Sequence, residues 1–438
     1  MTKPQHLKRG EEMLAWAKEL FPIRRSLTGP GVRDTLDFIG ALLPGLRRRS
    51  AKTGTRAFDW TVPREWLFRS GRLEHEGGGF AIDADENFLH VVGYSTGVDK
   101  LIDKTALEPH LHSLVNQPDV IPYVTTYYKE NWGFCLKHSD RLVMPEGQYH
   151  AYIDADLVDG DLDFADLVLP GKSDREILFS TNVCHPNLAN NELSGPVLAI
   201  ALAQELARRP NRRYTYRFVF VPETIGSLVY LSEEIEHLQA KVDAGFVLSC
   251  VGDERAFSHV ESPSAATLAD RALKAALIGR TNVLTFDFLE RGSDERQYCA
   301  PGVRLPVCGF CRSKYGEYDE YHTSADDFSV VTAQGLAGAY EVMVSVVDAL
   351  EANDRYRTKV LGEPQLGKRG LYATTSAKGS AQAFRTRLNV LAFADGSLDL
   401  FDLSLRLGSP LADVVAEVAL LREHELLASA GREHPFAD

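Results

Sequence analysis

Four loops of this chain gather ionisable residues directly behind apolar runs. His185 stands in CHPNLANNELSG, after the run Glu176–Phe179 (EILF); Glu223 stands in FVFVPETIGS. Cys250 and Asp253 stand in VLSCVGDE, and His322 in EYDEYHTSADDF, with Asp294 of RGSDERQY between these last two. Neutral imidazoles and carboxylates are the usual ligands of a catalytic zinc, which keeps three protein ligands and one open position for water. The metal lowers the pKa of that water, and a nearby carboxylate can take its proton. His185 and His322 are therefore the candidate ligands and Glu223 the candidate base. Each has a plainer reading alone: a loop histidine often only holds hydrogen bonds, and a carboxylate ending a strand often caps the next helix. Their placement at successive strand ends points to a shared site, because open α/β sheets keep their chemistry at the carboxyl ends of the strands. Asp294 and Arg291 add a candidate substrate pair, the first for an ammonium and the second for a carboxylate; the alternative is a salt bridge across their loop. Cys308-Gly-Phe-Cys311 has the spacing of half a zinc knuckle, but no second pair accompanies it, and core packing is the expectation.

These residues need strands and helices to position them. From about Arg175 the pattern alternates: EILFST, then a helix over 195–208; YTYRFVFVP, then a helix over 226–238; AGFVLSC, then a helix over 266–278. VLTFDF and LPVCGFC follow, and the helix 332–352 closes the region. Such alternation predicts an α/β fold with a mainly parallel sheet sandwiched by helices. Upstream, residues 8–21 and 32–43 have helical spacing, with Arg24 and Arg25 in a solvated turn between them or, alternatively, at an anion. Residues 57–149 are short Val-, Ile-, Phe- and Tyr-rich runs punctuated by Gly, Pro, Asp and Asn, the texture of a β-rich insertion, with one short helix expected over 107–114. This lobe is expected to cover the cleft and restrict it to small substrates. Residues 354–377 read as a linker, and three helices follow over 383–427 in the manner of a helix-turn-helix or winged helix. The expected domains are thus 1–56 with 150–355, 57–149, and 360–438.

Length and composition set outer limits. A chain of 438 residues with 44% hydrophobic and 25% charged residues is a multidomain globular protein. A net charge of −13 argues against nucleic acid or an anionic membrane as a general partner. The third tail helix, with Asp413, Glu417, Glu423 and Glu425 against Arg422, does not suit phosphates. Six cysteines are too few for a disulfide framework. The charged start MTKPQHLKRGEEML is no secretory signal, and no apolar run reaches the length of a membrane span, so the cytoplasm is the expected compartment.

Four motifs resemble those of zinc-dependent exopeptidases of the aminopeptidase type: the His185 loop ending in Ser-Gly, Glu223 followed by x-x-Gly-Ser, Gly292-Ser293-Asp294 before a Pro-Gly turn, and Tyr321-His322-Thr323 followed by Asp326. More narrowly, FPIRRSLTGPGVRDTL, IPYVTTYYKENWGFCLKH, STNVCHPNLANNELSGP and the motifs above make nearly the whole chain similar to an aminopeptidase-like family of uncharacterised bacterial proteins with an inserted β-rich domain and a C-terminal winged helix. The resemblance implies a hydrolase that cleaves an amide or peptide bond in a small substrate. Zn2+, one ion, would be held by His185, Asn191 and His322, with water activated by Glu223 and Tyr321 beside the substrate. It also marks departures. Asn191 stands where an Asp ligand belongs, with Glu192 beside it; Thr224 stands where a second carboxylate belongs. Ser249 or Cys250 occupies a third ligand position, with Asp253 nearby. A catalytically impaired binding or scaffold protein is therefore the second reading, and a DNA-linked regulator acting through the tail the third. A homo-oligomer stays open.

Overall fold

The computed structural model describes residues 3–127, 129–372 and 380–430. Tyr128 of the IPYVTTYYKENWGFCLKH stretch, residues 373–377 of the expected linker and residues 431–438 of the tail lie outside these.

An eight-stranded sheet forms the centre. Its order is Arg47–Lys52, Asp161–Leu169, Thr215–Val221, Glu176–Asn182, Val242–Leu248, Val307–Cys311, Phe257–Val260 and Val283–Phe286. The sheet is mainly parallel, with four of its seven strand pairings parallel and three antiparallel. Thr215–Val221, Glu176–Asn182, Val242–Leu248 and Val307–Cys311 run parallel, and antiparallel pairings join this block to its neighbours on either side. All seven residues of Glu176–Asn182, of Thr215–Val221 and of Val242–Leu248 are buried, as expected of parallel strands covered on both faces.

Because side chains alternate along a strand, these strands feed two cores. Ile177, Phe179, Phe218, Phe246 and Phe310 pack with the helices Lys3–Leu20, Ser194–Arg208 and Ala333–Ala352 on one face. Leu178, Val219, Val221, Val247 and Val307 pack on the other with helix Ile225–Lys241, in a core continuous with the inserted lobe. Phe179 stands in register with Phe218 and Phe246, and its ring stacks on theirs at 5.1 and 5.5 Å. Cys308 and Cys311, three apart on one strand, fall in different clusters. They make no half knuckle, and all six cysteines are free and buried.

The lobe is a four-stranded antiparallel sheet, ordered Ala81–Asp83, Glu65–His75, Gln148–Val158, Val98–Asp103, with a small hairpin, Arg56–Ala57 and Trp60–Thr61. The expected helix over 107–114 does not form. A single turn, Lys104–Leu107, passes through a 3-10 turn at Glu108–His110 into the strand Leu111–His112. Pro109 supports the tight turn, and His110 stacks on Trp132 at 3.7 Å.

The tail is a winged helix. Its helices Ser380–Ala392, Leu400–Leu407 and Leu411–Glu423 accompany a three-stranded sheet of Arg355–Thr358, Asp395–Asp399 and Leu427–Ser429. The segment read as linker thus opens with a strand. The middle helix starts at Leu400, later than its pattern suggests, because Asp399 caps it by accepting from the Asp402 backbone N–H. The tail is bound to the central domain. Phe401 and Leu411 join the first core, and Arg271 pairs with Asp399 at 2.9 Å and Asp402 at 2.7 Å. Glu417, one of the acids of the third helix, is buried against Arg387. Among the described residues no helix is long and apolar enough to cross a membrane.

Candidate active site

His185 leaves the end of strand Glu176–Asn182 and is buried, with its backbone carbonyl accepting from Arg25 Nε at 3.0 Å. Arg25 is fully buried and also donates to the Leu20 carbonyl, so it is not solvated, and its Nη2 is buried without a partner. Burial lowers its pKa to about 10. Only Arg24 reaches solvent, where it pairs with Asp85.

The two ring nitrogens of His185 have different duties. Nδ1 lies 2.6 Å from Glu192 Oε2, and Glu192 also accepts from the Cys184 backbone N–H. Nε2 lies 3.5 Å from Glu223 Oε2. Glu192, read from sequence only as a possible substitute ligand, thus fixes the ring as carboxylates fix metal-binding histidines. Ligand atoms of Cys184, His185 and Glu192 lie within 4.8 Å of one another. Burial works against charge on His185, but the Cys184 sulfur and the Glu192 carboxylate outweigh it and lift its pKa well above the usual value. Loading a cation on Nε2 must therefore release a proton.

Glu223 follows strand Thr215–Val221, and its backbone N–H donates to Cys184 Sγ at 3.2 Å. The next residue, Thr224, has φ 64° and ψ −75°, and Ile225 N donates to the Glu223 carbonyl at 2.8 Å. This is a γ-turn of the rare, strained hand, of the kind concentrated at functional sites. Asp294 Oδ1 receives the Thr224 backbone N–H at 2.8 Å and Ser227 Oγ at 3.0 Å, which holds the turn. Burial raises the pKa of Glu223, and burial with the nearby Glu223 charge raises Asp294 to about 7.

Asn191 lies in a π-helical turn, Ala189–Leu193, that opens helix Ser194–Arg208. Its backbone N–H and that of Asn190 both donate to Asp326, at 3.0 and 2.6 Å. Its side-chain Nδ2 points to Cys250 Sγ at 3.8 Å, and its Oδ1 is buried without a partner. His322 has φ 56°, stacks on Tyr321 at 3.9 Å, and leaves Nε2 buried without a partner. The His185 and His322 rings lie 5.4 Å apart, and Tyr123 meets both edge-on at 5.2 Å. Burial, reinforced by His185, lowers the His322 pKa to about 3. It is therefore neutral near pH 7, as a ligand must be.

Two further candidates are otherwise engaged. Asp253 accepts from Ser313 N and Oγ, Arg255 N and Asn190 Nδ2, all within 3.2 Å. Cys250 has φ 53°, is buried, and has its pKa raised by burial to about 12. A second potential ligand group, His259, Asp270 and Cys308, is interior; Asp270 there completes the capping box of helix Leu268–Leu277.

A cavity of about 560 Å3 opens over His185 and Glu223. The insertion supplies one wall with Asp59, Trp60, Thr61, Pro63 and Tyr127; Leu27, Cys184, Thr224, Ile225 and Arg296 complete it. Arg291 and Asp294 are not in this wall. The Arg291 guanidinium lies over the Phe288 ring at 4.7 Å and donates to the Phe288 carbonyl, while Asp294 is buried behind the Thr224 turn. Arg296, which sequence reasoning missed, lines the cavity instead; its signal was the same RGSDERQY loop.

The pKa of His322 sets a pH dependence. In the unfolded chain an imidazole titrates near ~6.5, and here the folded value is about 3. Between these, the unfolded state binds a proton that the folded state does not, so stability falls as pH drops below the unfolded value. The chelator-treated His322→Gln variant is expected to lose less of its urea midpoint between pH 7.5 and pH 5 than the wild type. Equal losses would show that His322 is not held neutral.

The sheet, its strand-end loops and the facing imidazoles define a chain of mixed α/β fold resembling the zinc aminopeptidases. A zinc aminopeptidase from Bacillus subtilis superposes with a TM-score of 0.57 over 79% of this chain and 94% of that one, at 12% identity. The chain belongs to the family described as a domain of unknown function, DUF4910, whose model matches residues 14–353; a winged helix-turn-helix model matches 354–429. A Clostridium acetobutylicum protein, named as a candidate polysaccharide biosynthesis protein with an aminopeptidase-like domain, is 38% identical over 94% of this chain and 96% of its own length. A crystal structure from that organism, named as a candidate peptidase, has a TM-score of 0.89 at 36% identity, covering 98% of both chains.

Proposed function

We propose that this chain is a single-zinc amide hydrolase that removes a residue from a short peptide or opens a related small amide. One observation carries the reading: Glu223 lies 3.5 Å from His185 Nε2 on a cavity, with His322 Nε2 and Asn191 Oδ1 buried and unpartnered in the same group of loops. Unpartnered buried polar atoms are costly, and a cation ligated by His185, His322 and Asn191 would satisfy them, so the donor set fits zinc. Once bound, zinc would supply Lewis acidity to the scissile carbonyl and acidify the attacking water.

The rest falls to the protein. Glu223, held by the strained turn and the Cys184 contact, accepts the proton of the attacking water and returns it to the leaving amine. Burial, which raises its pKa, makes it the better base. Glu192 keeps His185 Nε2 turned to the cavity. Trp60 and Tyr127 narrow the opening to a small substrate. The names of the relatives, peptidase and aminopeptidase-like, agree with this chemistry. The free cysteines suit a reducing compartment, and we place the protein in the cytoplasm.

The binding-protein reading rests on Asn191 and Thr224, neither a carboxylate, and Thr224 Oγ1 is already engaged by Arg296. Metal analysis of protein purified without added zinc separates the two. Near-stoichiometric zinc, falling sharply in His322→Ala, is the expected result; protein that takes up no metal under any loading condition is not this hydrolase.

A further inference from the structure

Arg296 is the one arginine or lysine in the cavity wall. Its charge acts on Glu223 and Asp294, but it forms an ion pair with neither. Its hydrogen bond goes to Thr224 Oγ1, no carboxylate of the described residues pairs with it, and its Nε is buried without a partner. A guanidinium has five donors in a planar fork matched to carboxylate geometry. An arginine kept only to balance Glu223 or Asp294 would be expected to pair with one of them. Here Thr224 holds one arm of the fork, and the residue keeps its place on the cavity beside the base. The remaining wall mixes apolar side chains, Leu27, Trp60, Pro63, Tyr127 and Ile225, with polar ones that include Asp59 and Thr61.

We propose that Arg296 binds the carboxylate of the substrate, so that the site selects dipeptide-sized amides with a free carboxylate and an apolar side chain. The inference rests on the hydrolase reading and narrows its substrate class. About 560 Å3 accommodates a molecule of that size. The Thr224 turn links the two functions: its backbone follows Glu223, and its hydroxyl accepts from Arg296. Carboxylate binding would therefore set the distance between the scissile bond and the base.

The test is a matched pair of probes, the dipeptide Leu-Phe and its C-terminal amide, differing in one charge. Both are titrated calorimetrically into zinc-supplemented Glu223→Gln protein, in which turnover is suppressed, with and without Arg296→Gln. The free acid is expected to bind at least ~10-fold tighter than the amide, about 1.4 kcal/mol; Arg296→Gln should abolish the preference and Arg296→Lys retain part of it. An equal preference in Arg296→Gln, or no binding of either probe to a variant that circular dichroism shows folded, overturns the proposal. The hydrolase reading fails separately: wild-type protein that binds the acid through Arg296 but turns over neither probe would refute turnover and leave the carboxylate site standing.

Discussion

Glu223→Gln is expected to lower kcat on an amide substrate by about 10²–10⁴-fold, the range for removing a positioned proton acceptor, while zinc content stays at the wild-type level. The replacement keeps the shape of the side chain and the backbone N–H to Cys184 Sγ, so the γ-turn at Thr224 has no reason to move. It removes only the charge facing His185 Nε2. If Glu223 were a structural partner of His185, the variant would lose stability instead of rate. If Glu223 is the base, stability should hardly change, because Nδ1 of the same ring retains Glu192 at 2.6 Å. The two roles therefore give opposite patterns: rate lost with the melting temperature nearly unchanged, or rate kept with the melting temperature lowered. Parallel measurement of kcat, zinc content and thermal unfolding distinguishes them. A variant with wild-type kcat ends the assignment of Glu223 as base.

The residues foreseen from sequence are those announced by their strands. EILFST and FVFVP are continuous apolar runs, so their ends could be located to within a residue or two, and His185 and Glu223 fell there. His322 was placed at a strand end with them, but it sits in a loop well beyond strand Val307–Cys311, at positive φ. What sequence could not supply was direction. Arg291 and Arg296 lie five residues apart in one loop, and the short helix Glu295–Tyr298 decides which faces the cavity. Glu192 looked like a spare ligand, but the π-helical turn aims it at the far nitrogen of His185. Arg25 looked like surface, because its partner carbonyl lies 160 residues away in sequence. The antiparallel flank of the mainly parallel sheet was not legible for a related reason. Alternating strands and helices fix the parallel centre, while the strands Arg47–Lys52 and Asp161–Leu169 flank the β-rich lobe in sequence and join antiparallel.

Asn191→Asp has the second large expected effect, and its sign depends on the metal. Asn191 is 5% exposed, its Oδ1 has no partner, and Asp326 already occupies its backbone N–H. Without zinc, a carboxylate here would be buried beside another carboxylate and would lose the donor that meets Cys250 Sγ. The variant should then be less stable than the wild type by about 1–3 kcal/mol, the cost of an unsatisfied buried group. Burial would raise the folded pKa of the new carboxyl above its unfolded value, so the deficit should grow as pH rises through the unfolded carboxylate range. With zinc, the same carboxylate becomes the better ligand, and affinity should rise at least ~10-fold, about 1.4 kcal/mol. Because a ligand stabilises the folded state in proportion to the logarithm of its occupancy ratio, the melting-temperature gap between zinc-loaded and chelated protein should be wider in Asn191→Asp than in the wild type. A chelated variant that is destabilised with an unwidened gap would mean that Oδ1 is buried for packing and does not face the metal. A widened gap would mean that the amide at this position weakens, without abolishing, a metal site that the neighbouring histidines still define.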